Sequence, residues 1–412
     1  MTTIEHQPTQ DVPRTRDAWQ RPLLVFVAFA AAYMTLRQLF YVTVGPPWAE
    51  FSDADLGIYL GSVRSVVDGK YLYDLIPAFT YPPFALAVFA PIAWIPLGLI
   101  GPVLQFVKIV ILMAGVWVYL GRRETPVRRR VVWSVVAVFL AVMLIETVGD
   151  DMFSGQVNLL LLVLVLADLL RPARERWRGI GVGIAAGIKL VPGLFIIYLL
   201  VTRQFRAAGV ATAAFLATVV AGFALQPSAS WHYWTSVLWD SSRVWPRPDI
   251  VLNQTVRGIT VRALGHDNEA IWVTLAVLVI IAGTALAVAL HGRGQELAAL
   301  TAVGLTAAAV TPQGWLHHWV WFAPAMLIIA SGMRRSVGVW AGVLALFLLI
   351  IGRFHIAITW DPWNHDALHL SAAQQVLAAS HPIALVGLGV YTVIWLRTTR
   401  QRVAASAEST QQ

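Results

Sequence analysis

The residues equipped for chemistry are few. Asp55 stands in a first polar connector, Lys189 lies inside an otherwise apolar run, and His317 and His318 are adjacent in a short turn. A carboxylate at a membrane–water boundary can take the proton of an attacking hydroxyl, with Asp53 as the neighbouring alternative. A structural role for Asp55 is also open: with Ser52 as N-cap it falls at the third helical position, where a carboxylate favours the helix dipole and resembles a capping box. Lys189 sits about ten residues from either end of its run. It cannot easily snorkel out, so it either caps the carbonyls of a broken helix or faces an anionic substrate group. Adjacent histidines point in different directions on a helix, and no HxxxH or HxxE spacing accompanies them, so a metal site is not expected. One of the two suits a phosphate contact and the other a helix cap. The amides of Gln156, Asn158, Asn253 and Gln254 open apolar segments, and Gln313 shares the turn of the histidines.

The elements that must position these groups are membrane helices. Over 412 residues the chain is 58% hydrophobic and 13% charged, about half the charge of a soluble globular protein. Apolar segments recur at 22–44, 84–98, 102–120, 131–148, 158–170, 180–201, 207–225, 271–290, 297–310, 319–331, 337–351 and 383–395. An all-α, polytopic bundle of about ten to twelve transmembrane segments follows. Segment 22–44 has no small-residue cleavage site and is expected to be an uncleaved first span. There is no cysteine, hence no disulfide, thiolate metal site or cysteine nucleophile. The net charge of +8 does not indicate nucleic acid, because the arginines cluster at segment ends, at Arg122, Arg123, Arg128 to Arg130, Arg171 to Arg178, Arg203, Arg206, Arg334, Arg335, Arg397 and Arg400. That is the positive-inside pattern.

If every segment crossed once, two of those clusters would face outward. Two reversals repair the pattern. Segment 84–98 is short and carries Pro91 and Pro96, so it is expected to dip in and return. Segment 180–201 holds Lys189 and Pro192 near its middle, where a broken hairpin would also return to its starting side. The outward loops are then 45–83, 149–157, 226–269, 311–318 and 353–382, and both termini are cytoplasmic. Residues 1–21 and 397–412 are expected to be tails, disordered before Asp17 and after Gln401, flanking one catalytic domain over 22–396. In the first loop Leu56, Tyr59, Leu60, Val63 and Val67 recur at helical spacing, predicting a short amphipathic helix that ends at Gly69. Tryptophans 231, 234, 239, 245, 360 and 363 suit either interfacial anchoring or the gripping of a lipid substrate.

Taken in order, Asp55-Leu-Gly-Ile-Tyr59, Asp68-Gly69, Tyr73, Tyr81-Pro-Pro83, Gly155-Gln-Val-Asn158, Gly187-Ile-Lys-Leu-Val-Pro192, Asn253-Gln254 and Trp315-Leu-His-His318 resemble the polyprenol-phosphate-mannose-dependent α-mannosyltransferases of the GT-C superfamily. The resemblance runs from about Pro22 to Trp395 and is nearest to members that extend phosphatidylinositol mannosides. It implies a GT-C-type fold and transfer of mannose from polyprenyl-phosphate-mannose to a glycolipid on the outer side of the plasma membrane. The implied linkage is α-1,2, formed with inversion. Asp55 is the implied base. Donor-phosphate contacts would come from Lys189, His317 and His318, with Arg257 and Arg262 assisting. Tyr59, Tyr81, Gln156, Asn158, Asn253, Gln254 and Trp315 would contact sugar or acceptor. No cofactor, metal or nucleic acid is expected; the partners are the two lipid substrates and membrane lipids. Alternatives within the superfamily are a lipomannan-branching mannosyltransferase and an arabinofuranosyltransferase. A lipid or sugar carrier would also break helices around a buried lysine, but inverted-repeat symmetry in hydropathy is missing.

Overall fold

A computed structural model describes residues 17–44, 53–75, 79–332 and 367–410, with Gly342, Leu348 and Ile358. Ser52, Trp360, Trp363, Arg334, Arg335, the tail before Asp17 and almost all of segment 337–351 lie outside these. Among the described residues the regular elements are all helical.

The chain forms two compact units. One comprises α1 (Asp17–Val44) and residues 102–139, which hold most of α4 (Leu97–Gly121) and of α5 (Val127–Leu144). Inside it Phe26 meets Trp117 edge to face at 6.3 Å, and the Arg130 guanidinium lies 3.8 Å from the Trp117 ring while donating to its carbonyl. That stacking shields an arginine's carbon stem and leaves its charge at a helix start.

The other unit carries every candidate site residue. Its helices are α2 (Ala54–Val67), α3 (Phe84–Phe89), α6 (Glu146–Phe153), α7 (Asn158–Leu169), α8 (Ile180–Ile188), α9 (Leu194–Val201), α10 (Phe205–Leu225), α11 (Pro227–Thr235), α12 (Val256–Leu264), α13 (Glu269–His291), α14 (Glu296–Val310), α15 (Phe322–Gly332), α16 (Ala372–Leu377) and α17 (Ser380–Thr410). Helices α4, α10 and α13 are each long and apolar enough to cross a membrane, and α5 with α6 passes the same test as a pair bent by 82°. The bend at Ile145 has no proline, and the sequence pattern does not foretell it. Helix α17 runs on to Thr410, which corrects the expectation of disorder after Gln401; Ala404, Ala405 and Ala407 are strong helix formers.

The expected break in segment 180–201 is present, and the chain reverses there. Helix α8 stops at Ile188, Lys189 is extended (φ −145°, ψ 124°), and Val191–Gly193 makes one 3₁₀ turn before α9. Direction follows from the glycine contacts with α10. A Cβ on Gly179 would meet Ala207, one on Gly183 would meet Ala211 and Ala214, and one on Gly187 would meet Thr218. Helices α8 and α10 therefore run parallel, so α9 between them must come back. Its return is closed at the base, where Arg178 donates to the Leu169 carbonyl and to Gln204, and Arg206 donates to the carbonyls of Ala173 and Glu175. The Asp168 carboxylate accepts from the backbone N–H groups of Gly179 and Val182, satisfying the open start of α8.

Gly183 sits at a close approach in this packing, with an added Cβ 2.3 Å from the Ala211 carbonyl oxygen and 2.6 Å from the Ala214 Cβ. Gly183→Ala must push α8 off α10, and overpacking of this kind costs about 1–3 kcal/mol. The expected result is a measurable fall in the melting temperature of the detergent-solubilised protein, read by tryptophan fluorescence.

Segment 84–98 breaks at both prolines, into α3, a 3₁₀ turn Ala90–Ile92, and the start of α4 at Leu97. Tyr81, before it, is stacked near the Tyr59 ring of α2, and Gly101, after it, abuts the Asp53 carboxylate at the start of α2. Both ends thus lie along one helix. A six-residue helix is far too short to cross alone.

Helix α2 forms as predicted, with Leu56, Tyr59, Leu60 and Val63 buried, but Val67 is 65% exposed and lies off the packed face. Its C-terminus is closed by Gly69 at φ +84°. Its start differs from the expectation: Asp53 is the N-cap and makes no side-chain capping bond, so Asp55 is the second helical residue and not part of a capping box.

Candidate active site

Asp55 is placed by backbone bonds from its own turn. The N–H groups of Asp53 and Asp55 donate to the carbonyls of Phe153 and Ser154, at 2.7 and 3.0 Å, docking the first turn of α2 onto the end of α6. The approach is close enough to require glycine at 155, which has φ +70° and would carry a Cβ 2.7 Å from that of Leu56. The next residue, Gln156, then reaches Asp55: its Nε2 donates to Asp55 Oδ2 at 2.9 Å. Asp55 is half-buried, and its Oδ1 accepts no hydrogen bond among the described residues. Asp55 lies in the first turn of α2, where a carboxylate favours the helix dipole, but it makes no capping box, and its carboxylate belongs to a polar chain.

That chain continues through Gln156 Oε1, which accepts from the Tyr81 hydroxyl at 3.0 Å and from Asn158 Nδ2 at 3.5 Å. Tyr81 and Tyr59 share a hydroxyl–hydroxyl bond of 2.8 Å. Asn158 Oδ1 accepts from Lys189 Nζ at 2.8 Å, and the ammonium also lies 5.2 Å from the centroid of the Tyr81 ring. Carboxylate and ammonium are therefore joined through two amides, which orient both without pairing them directly. Burial pushes the Tyr59 and Tyr81 hydroxyls well above the ordinary tyrosine range, and nearby Asp55 acts in the same direction. Both remain protonated donors. Six of the expected site residues, Asp55, Tyr59, Tyr81, Gln156, Asn158 and Lys189, thus form one cluster.

The histidine turn joins it from another side. Leu316–Trp319 is a 3₁₀ turn packed on α6, where Thr147 donates to the Trp319 carbonyl and His317 Nδ1 lies 2.9 Å from Asp150 Oδ2. Trp315, half-buried, seats the turn on Ile250, Leu252 and Trp245. His318 is held well below the ordinary imidazole range, chiefly by burial and then by the neighbouring charge of Lys189 and by His317. The lysine and the imidazole are neighbours.

Four expected contacts are used elsewhere. Asn253 is fully buried and bonded to Pro248, Gln313, Thr255 and Gly314, while Gln254 bonds Val251, Ala378 and the His381 N–H. They pin the 249–255 loop to the start of α17. Arg257 is ion-paired with Asp267 and stacked on Trp272. Arg262, brought down to about 10 by burial, spends its guanidinium on the carbonyls of Asp249, Ile250, Asn253 and Ala378. None of the four touches the cluster of Asp55 and Lys189 in this structure.

Two acids escaped the sequence reading. Asp151 is fully buried, accepts from the Leu159 N–H at the start of α7, and bears electrostatically on Tyr59, Tyr81 and Lys189. Asp150 holds His317. The signal was present: two adjacent carboxylates at the end of an apolar run are costly unless a cation or a donor set awaits them. Beside this cluster Pro82, Pro83 and Phe84 come together with Gly187, Thr218 and Trp234.

Comparison with known proteins fits this geometry. The chain is 32% identical over 305 residues, covering 68% of this chain and 71% of the relative, to the Mycobacterium tuberculosis polyprenol-phosphate-mannose-dependent alpha-(1-2)-phosphatidylinositol mannoside mannosyltransferase. It is 31% identical over 345 residues, covering 79% and 75%, to a polyprenol-phosphate-mannose-dependent alpha-(1-2)-phosphatidylinositol pentamannoside mannosyltransferase from the same species. The corresponding pentamannoside enzyme of Mycolicibacterium smegmatis is 31% identical over 348 residues, 80% of each chain. No solved structure matches. The family profile of glycosyltransferase family 87 matches residues 79–312, more than half of the chain and inclusive of Tyr81, Gln156, Asn158 and Lys189. A carrier is thereby set aside: this is a multi-pass membrane enzyme that transfers sugar, and the chain belongs to glycosyltransferase family 87.

Proposed function

We propose that this glycosyltransferase moves mannose from polyprenyl-phosphate-mannose to a hydroxyl of a phosphatidylinositol mannoside, forming an α-1,2 linkage with inversion. The substrates printed in the names of the relatives support the donor and acceptor classes. The observation that carries the chemistry is the hydrogen-bonded chain from Asp55 through Gln156 and Asn158 to Lys189. It sets a proton acceptor and a fixed cation at the two ends of one polar track, as a single displacement requires. Asp55 takes the proton of the acceptor hydroxyl while that oxygen attacks the anomeric carbon. The bond from the anomeric carbon to the phosphate oxygen breaks on the opposite face, and polyprenyl phosphate leaves with its charge facing Lys189. The tyrosine hydroxyls and the amides of Gln156 and Asn158 orient sugar hydroxyls. By the arginine pattern the site faces the outer side of the plasma membrane, with both termini inside.

Purified protein in detergent, given polyprenyl-phosphate-mannose and a phosphatidylinositol mannoside, is expected to yield the acceptor lengthened by one mannose. Its linkage by NMR should be α-1,2. Hydrolysis of the donor without a lengthened glycolipid would reject this assignment.

A further inference from the structure

The two adjacent histidines face opposite hydrogen-bond requirements. His318 Nδ1 accepts the Trp315 N–H at 2.9 Å. The Trp315 carbonyl, 3.2 Å from the same ring nitrogen, is already satisfied by the His318 backbone N–H at 3.0 Å. A ring that accepts at Nδ1 carries its proton on Nε2. Burial and the neighbouring Lys189 also keep this ring neutral, so His318 presents an Nε2–H donor. His317 is the reverse case. Its Nδ1 is 2.9 Å from a carboxylate oxygen of Asp150, which can only accept, so the proton is on Nδ1. In the neutral ring Nε2 is then a lone pair, and that atom is buried with no hydrogen-bond partner among the described residues. The rings are 5.0 Å apart and tilted by 32°.

The charged and titratable groups around this turn are Glu146, Asp150 and Asp151 on α6, His318 on the turn itself, Lys189 beyond His318, and His381 of α17 against Trp319. Helix α14 brings none from its C-terminal half. Of these, Asp150 is the one hydrogen-bonded to His317.

Resting on the proposed mannosyl transfer, we infer that His318 donates from Nε2 to a phosphate oxygen of the lipid donor, whereas His317 accepts at Nε2 from a sugar hydroxyl. Asp150 is the positioning residue that sets the acceptor polarity of His317. A hydroxyl can satisfy a lone pair and a phosphate oxygen cannot, so the two imidazoles sort the two substrates by chemistry. An acidic partner replaced by its amide donates to Nδ1 and forces the opposite tautomer.

The test is steady-state kinetics of the full-length enzyme with both substrates varied, together with binding of the product polyprenyl phosphate. His318→Ala should raise the donor KM and weaken polyprenyl phosphate binding about tenfold, leaving the acceptor KM within about twofold. Asp150→Asn, of unchanged size, should lower kcat/KM for the acceptor by roughly tenfold or more with donor KM unchanged, and Asp150→Glu should recover part of it. Wild-type kinetics in Asp150→Asn would overturn the inference. So would equal weakening of polyprenyl phosphate binding by His317→Ala and His318→Ala. Failure of the wild-type enzyme to transfer mannose counts against the proposed reaction instead, and the binding split between the histidine variants still decides this inference.

Discussion

Replacing Asp55 with Asn should lower mannose transfer by roughly 10²–10⁴-fold, the range expected when a positioned general base is lost. The substitution isolates that loss. Asn offers an oxygen to the Gln156 Nε2 now bonded to Asp55 at 2.9 Å, and the backbone bonds from residues 53 and 55 to Phe153 and Ser154 do not involve the side chain. Melting temperature and donor binding should therefore stay near wild type while turnover collapses. Asp53→Asn is the matching control: its carboxylate is buried against Gly101, so the expected effect is on stability. Turnover of Asp55→Asn at the wild-type rate, in protein that elutes and melts normally, would remove Asp55 from the mechanism.

Lys189→Met should be nearly as damaging, by roughly 10²–10³-fold in turnover, because a fixed charge aimed at the leaving group is lost. It should also raise the donor KM. Methionine keeps the length and the packing against Tyr81, whose ring is 5.2 Å from the ammonium. It strands the Asn158 oxygen, now bonded at 2.8 Å, and an unsatisfied buried acceptor costs about 1–3 kcal/mol. A fall in stability is thus expected with the fall in rate. Arginine should not rescue, since its planar fork is larger and does not fit the place of a compact ammonium between an amide and a ring face. A donor KM and rate unchanged in Lys189→Met would locate the phosphate elsewhere.

How far the sequence foretold this arrangement depended on whether a signal was local. The break at Lys189 was legible because a charge and a proline inside an apolar run cannot continue a lipid-facing helix. The fold of segment 84–98 followed from Pro91 and Pro96 in the same way, and α2 from apolar spacing. The helix start was misjudged by one residue, because Asp53 adopts φ 59° and that depends on docking to Gly155, a hundred residues on. Partner choice was equally hidden. Asn253, Gln254 and Arg257 are polar residues in the loop over 226–269, and nothing in their spacing indicated that loop carbonyls and Asp267 would consume them. Asp150 and Asp151 were overlooked for the converse reason: their partners, His317 and the start of α7, are distant or of backbone origin. The 82° bend at Ile145 has no proline to mark it in the sequence.

The reversal of α8 and α9 has a consequence for biosynthesis. Nine helical residues span roughly 14 Å, about half of a hydrocarbon core of ~30 Å, so this hairpin cannot settle as an ordinary span when it leaves the ribosome. The helix that shelters it, α10, is synthesised afterwards. The cation at the hairpin tip therefore gains its final depth only once the chain beyond residue 225 has been inserted, and a ribosome-bound chain ending before that point should hold its lysine in reach of water-soluble amine reagents.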